Sequence, residues 1–252
     1  MFYAKDVSVL KVLRDKFASI KIIAYLRRQD QFIQSYYIQY FKSGKVSEKL
    51  QDHEYLNNDF WLDYYGRIAE WAAVFGRENI IVRPFEKKQL YETNLFADFL
   101  KNAFGLELTD SFNMPEHKKS NVRVDNDVFE AIRLINSLAL PRRDTRWMLK
   151  RLQDFPSDSS SHNDPHRLLN PQECLDVVHK FREKNRMLAR EYMGRKDGSL
   201  FLASLPDPAI DWPASAAITT EKSVRILLWL LMDVYNRTRL TVRIKRFFRR
   251  FL

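Results

Sequence analysis

The chain has 252 residues, 45% of them apolar, with 18 Phe and 11 Tyr, so it can bury a real core; one domain plus an appendage is the natural reading of its length. Only 6 glycines occur and the apolar spacing is mostly helical, so helix should exceed strand. Cys174 is the single cysteine, which excludes an internal disulfide and makes a reducing compartment the default, and the formal charge of +10 is concentrated near the carboxyl end.

Taken in chain order, the pattern predicts a helix over 5–18, where Val7, Leu10, Leu13 and Phe17 form a stripe among Lys5, Asp6, Lys11, Arg14, Asp15 and Lys16. That charged mixture does not read as a secretory signal. A strand follows at 21–26, and its β-branched apolar run predicts burial on both faces. Helices are expected at 30–43, with Gln29 or Asp30 as cap, and at 58–75, stopped by Gly76. A second buried strand is expected at 79–83, halted by Pro84, and further helices at 92–104, closed by Gly105, and at 125–139 and 142–152. The Ser- and Asp-rich stretch 156–165 reads as a loop. One long helix is expected over 171–193, with Asn170 as cap, Pro171 at its first position and Gly194 as its stop; Leu175, Val178, Phe181, Asn185 and Leu188 would face the sheet.

Arg27 leaves the carboxyl end of the first strand, and Ser35 lies eight residues later in the following helix. Ligands of open α/β sheets sit outside the carboxyl ends of strands, where a helix start adds aligned N–H groups. A guanidinium fork and a hydroxyl at that rim are the makings of an anion site. The plainer alternative is a strand-end arginine paired with Asp30 or Glu54, and a serine on the polar face of an amphipathic helix.

The wording Tyr25-Leu26-Arg27-Arg28-Gln29-Asp30, continuing through Ser35 to Gln39, resembles the 3′-phosphate-binding segment of sulfotransferases, and of their bacterial members above all. A second block in the right order, Trp71 to Glu86, resembles the passage of that family in which a long helix ends at glycine and the next strand runs into an arginine and a glutamate. The resemblance covers roughly residues 5 to 213. It implies an α/β, three-layer fold of the P-loop type with a small parallel sheet, and 3′-phosphoadenosine 5′-phosphosulfate as co-substrate without a metal. By position, Arg27 and Ser35 would hold the 3′-phosphate, and Lys118-Lys119-Ser120-Asn121 lies where further phosphate contacts are often placed. The acceptor implied is a hydroxyl of a carbohydrate or lipid-linked glycan.

The pattern departs from the family at the donor end. No glycine precedes Gly44, so a glycine-rich phosphate loop ahead of Arg27 is not among these residues, and the resemblance implies that the chain starts just beyond the Ser-Ser-Glu-like turn that can supply a base. Sulfuryl transfer needs a base on the acceptor hydroxyl and donors on the leaving phosphate. His53, His117, His162, His166 and His179 fall in polar loops or on a helix surface without a partner that marks a base. Glu86 is the one acid at a strand end, and pairing with Arg83 or Lys87 would account for it. The catalytic group is therefore unassigned, and the expectation is nucleotide affinity with reduced or no transfer. A P-loop kinase is disfavoured because no Gly-Lys-Ser or Gly-Lys-Thr occurs.

The first domain is read as 1–213, and 214–252 as a linker and a basic helix. Arg237 to Leu252 holds seven basic residues, Arg237, Arg239, Arg243, Lys245, Arg246, Arg249 and Arg250, and no acid. The apolar run before it is too short for a span, which takes about 20 residues. Two readings stand side by side: a helix on an anionic membrane surface, and a helix packed on protein with its arginines in water. The first makes the chain a non-catalytic membrane-surface or assembly-docking protein, cytoplasmic and peripheral at the inner membrane face. Nucleic acid is not an expected partner, since no base-reading module is present.

Overall fold

The computed structural model describes residues 10–44, 46–53, 59–113, 126–138, 140–156, 168–210 and 219–248. They form α1 (Lys11–Lys16), β1 (Ile22–Leu26), α2 (Gln29–Lys42), α3 (Tyr64–Phe75), β2 (Ile80–Pro84), α4 (Leu95–Phe104), α5 (Asn126–Ser137), α6 (Arg142–Gln153), α7 (Pro171–Lys180), α8 (Arg182–Met193) and α9 (Thr220–Phe248), with short 3-10 turns between. The class is α/β and helix-rich, with a parallel sheet of two strands among the described residues. The pairing runs from Ile22 opposite Ile80 to Leu26 opposite Pro84, and the Phe85 N–H extends it by donating to the Leu26 carbonyl at 2.6 Å. Parallel neighbours require a long crossover, here supplied by everything between the two strands.

The chain divides into two compact units, one of residues 1–33, 51–116 and 169–210, the other of 34–50, 117–168 and 211–252. In the first, the sheet face is covered by helices. Ala24 of β1 and Ile80 and Val82 of β2 join Tyr64, Ile68, Trp71, Val74 and Phe75 of α3, Leu188 and Ala189 of α8, and Leu200 in one buried cluster. In the second, Phe41 of α2 stacks on Phe129 of α5 at 4.0 Å, and Asn136 of α5 donates to the Phe41 and Val46 carbonyls at 3.0 and 2.7 Å. Helix α9 packs on α5 and α6 within this unit.

Local signals in the sequence hold. Gly76, Gly105 and Gly194 end α3, α4 and α8 with φ of 90°, 71° and 67°, a region that a side chain disfavours. Asn170 accepts from the Glu173 N–H at 2.8 Å while Glu173 accepts from the Asn170 N–H at 2.6 Å, a reciprocal cap.

Other expectations need correction. The helix expected from 58 starts at Tyr64, because the Asp63 carboxylate caps it by accepting from the Gly66 N–H at 2.9 Å. The one expected from 92 starts at Leu95, because Glu92 and Thr93 sit at φ of 51° and 54°, which cannot continue a right-handed helix. The single helix over 171–193 is two, broken at Phe181 with φ −103° and ψ 7°. The break buries the Phe181 ring, and Asn185 in the next turn reaches a buried partner on α2. β1 is not buried on both faces: only Ala24 is fully covered, the other four residues being half-buried. Of the helix expected over 5–18, residues 5–9 lie outside the described residues, as does nearly all of the 156–165 loop and the Lys118–Asn121 segment.

Candidate functional site at the carboxyl ends of the strands

β1 ends in two arginines with different surroundings. Arg28 is 5% exposed and grips Asp30 in a fork, Nε to Oδ1 at 2.7 Å and Nη2 to Oδ2 at 2.9 Å, while its Nη1 donates to the Ala203 and Ser204 carbonyls at 3.0 and 2.8 Å. Four hydrogen bonds from one guanidinium compensate the desolvation of both charges. So it is Arg28, and not Arg27, that takes Asp30.

Arg27 is half-buried, and among the described residues its guanidinium has neither a salt bridge nor a hydrogen bond; Nε is buried and unpartnered. Its guanidinium carbon lies 5.6 Å from the centre of the Phe85 ring, on the residue that follows β2. Its carbonyl accepts from the Tyr64 hydroxyl at 2.7 Å. Burial pushes that phenol upward, with the Asp30 charge adding and Arg27 opposing, so the Tyr64 proton stays on.

Glu86, after β2, serves a neighbouring chain segment. Its carboxylate accepts from the Leu202 and Ala203 N–H groups at 2.8 and 3.2 Å and from the Gln89 amide at 2.6 Å. Gln89 in turn donates to the Leu200 carbonyl at 3.2 Å, and Arg195 donates to the Gln89 amide oxygen at 2.6 Å and the Ser199 carbonyl at 2.8 Å. Residues 199–204 thus form a strap fastened beside the strand ends by Arg28, Glu86, Gln89 and Arg195. Of the two partners that the sequence offers Glu86, Arg83 and Lys87, neither is paired with it among the described residues. Arg83 donates through Nε to Asp98 Oδ1 at 3.0 Å and through Nη2 to Asp98 Oδ2, and Asp98 also accepts from the Tyr25 hydroxyl at 2.6 Å and the Tyr91 N–H at 2.8 Å. Tyr25 and Arg83 face one another across the sheet, so α4 delivers one carboxylate to both.

Ser35 lies half-buried on α2, in the part of that helix that belongs to the second unit, whereas Arg27 belongs to the first. Beside it Gln34 accepts from the Leu168 N–H at 2.7 Å, and Tyr36 and Tyr37 are buried.

Two of the five histidines fall among the described residues whose placement bears on a base. His53 lies outside any helix, as expected, and is buried, and His179 is exposed on the last turn of α7. His117, His162 and His166 lie outside the described residues. Among the described residues no group of His, Cys, Asp and Glu could hold a metal ion. The Cys174 thiol is buried near Asp30, and burial first, then that charge, pushes it up to about 12.

The folded residues define a helix-rich α/β protein with a two-stranded parallel sheet. No family model matches the chain, and no solved structure matches it. A protein of Archaeoglobus fulgidus described as an uncharacterized protein is 30% identical to it over 184 residues, which is 70% of this chain and 47% of that protein. The chain spans about half the length of this curated relative.

Proposed function

We propose that the protein is sulfotransferase-like and that Arg27 binds the 3′-phosphate of a phosphoadenosine nucleotide, 3′-phosphoadenosine 5′-phosphosulfate or its product. The observation that carries the reading is the contrast between the two arginines: Arg28 makes four hydrogen bonds to three residues, while Arg27, at the carboxyl end of a parallel strand, retains donors for an anion. A planar fork with an unpartnered, buried Nε suits a phosphate better than a point charge would. The order of strand, helix, strand and glycine-stopped helix supports the sulfotransferase-like fold as the scaffold. For the whole protein the activity proposed is sulfuryl transfer to a hydroxyl of a carbohydrate or lipid-linked glycan. For these 252 residues it is binding with little or no transfer, since they supply no glycine-rich donor loop ahead of Arg27 and no evident base. The setting proposed is cytoplasmic.

Isothermal titration with adenosine 3′,5′-bisphosphate tests this. Arg27→Ala should weaken binding by roughly ten- to a hundredfold, the loss of one or two charge-assisted hydrogen bonds. Absence of heat with the parent chain, or equal affinity in Arg27→Ala, would reject the reading.

A further inference from the structure

Helix α9 is apolar on two sides over 224–235. One side is already occupied within its own unit. Ile226 is 5% exposed, the Trp229 indole N–H donates to the Arg151 carbonyl at 3.3 Å, the Trp229 ring meets Phe155 edge-on at 5.8 Å, and Asp233 pairs with the Arg151 guanidinium. Residues 226, 229 and 233 are spaced by three and four and so form one row of the helix.

The opposite row is exposed. Val224, Leu227, Leu228, Leu231 and Tyr235, flanked by Met232 and Val234, are each between 42% and 56% exposed. Seven large apolar side chains contiguous on one helix face exceed the scattered single ones of an ordinary surface. The row is about 18 Å long, well short of the roughly 30 Å of a hydrocarbon core. No helix among the described residues is long and apolar enough to cross a membrane. Such a face can lie in an interface and cannot span it.

Directly after the row the sequence turns cationic, with the seven basic residues of 237–252 and no acid. Positions 239, 242 and 246 of the same helix continue the row 224, 228, 231 and 235, and two of the three are arginine. Whatever covers this face must offer apolar contact over three turns and, next to it, several anions within a Debye length of about 8 Å. A second copy of the helix supplies the first and not the second: its acids are Glu221 and Asp233, and Asp233 is held by Arg151.

We propose that α9 docks the protein on an anionic phospholipid surface, with the row 224–235 in the acyl boundary and the arginines that follow at the phosphates. Interfacial helices of this composition lie in the membrane plane and need both contributions. The proposal is independent of the nucleotide site.

Flotation of the full chain tests it, using vesicles of phosphatidylcholine alone and vesicles in which phosphatidylglycerol is about a third of the lipid. The chain should float with the anionic vesicles only, and less at high salt. Leu227→Asp with Leu231→Asp should abolish flotation, and Arg239→Gln with Arg243→Gln and Arg246→Gln should weaken it on the order of a hundredfold. Unchanged thermal unfolding of both variants establishes that the fold is intact. No flotation, equal flotation with both vesicles, or flotation unaffected in both variants overturns the proposal. A dimer that Leu231→Asp dissociates, without flotation, assigns the face to a second copy instead.

Discussion

Arg83 pairs in the first unit with the fully buried carboxylate of Asp98. Asp98 is fully buried, and burial by itself would raise its carboxyl; the hydrogen bonds from Arg83, Tyr25 and the Tyr91 N–H outweigh that and hold it below the ordinary carboxylate range. A carboxyl lowered by folding adds stability that is complete above its unfolded value of about 3.9 and is lost as pH falls through the lower folded value. Asp98→Asn should cost about 3 kcal/mol near neutral pH, because it leaves the Arg83 guanidinium facing an amide. The gap between variant and parent should narrow below about pH 4, which urea unfolding across pH measures. Cys174 supplies a second test at this scale. A buried thiol raised to about 12 is almost wholly protonated at neutral pH, so a disulfide exchange reagent should leave it unmodified in the native chain and titrate it on unfolding.

Among the elements, α7 shows how far local chemistry reaches. Its start is fixed within four residues, by Asn170, Pro171 and Glu173, and the reciprocal cap satisfies N–H groups that a helix start leaves over. Asn170→Ala should lower stability by about 1 kcal/mol in chemical denaturation and leave the slope of the transition unchanged. Its end is a different matter. The 3.6-residue pattern runs through Phe181 without interruption, yet the backbone turns there, and a buried pair forms beyond the turn: the Gln29 amide donates to Asn185 at 2.8 Å and receives a bond back at 3.1 Å. Two buried amides that satisfy each other hold α8 to the start of α2, a constraint that no property of residues 171–193 announces. The late start of α4 has the same character, since nothing in the composition of Glu92 or Thr93 favours a left-handed conformation.

For the molecule as a whole, the sequence by itself determined the two short strands, the glycine stops and Asn170 as a helix cap. Each rests on residues within a turn or two of one another, where propensity and capping act. It also marked Arg27 as the residue at the strand end, and the apolar-then-basic order of the last thirty or so residues. Tertiary structure alone decided which charges meet. The sequence left Arg27 as a partner for Asp30; in the fold Arg28 takes it, held as well by the carbonyls of Ala203 and Ser204, more than 170 residues away. Glu86 has Arg83 and Lys87 within reach in sequence, but it accepts from N–H groups 116 and 117 positions later. The two sides of α9 carry the same kinds of residue, and the packing of Ile226, Trp229 and Asp233 against its own unit decides which side is covered and which is exposed. The physical reason is the same in each case. A side chain chooses its partner by the direction in which the folded backbone aims it and by what else is buried there, and neither quantity exists until segments distant in sequence have packed.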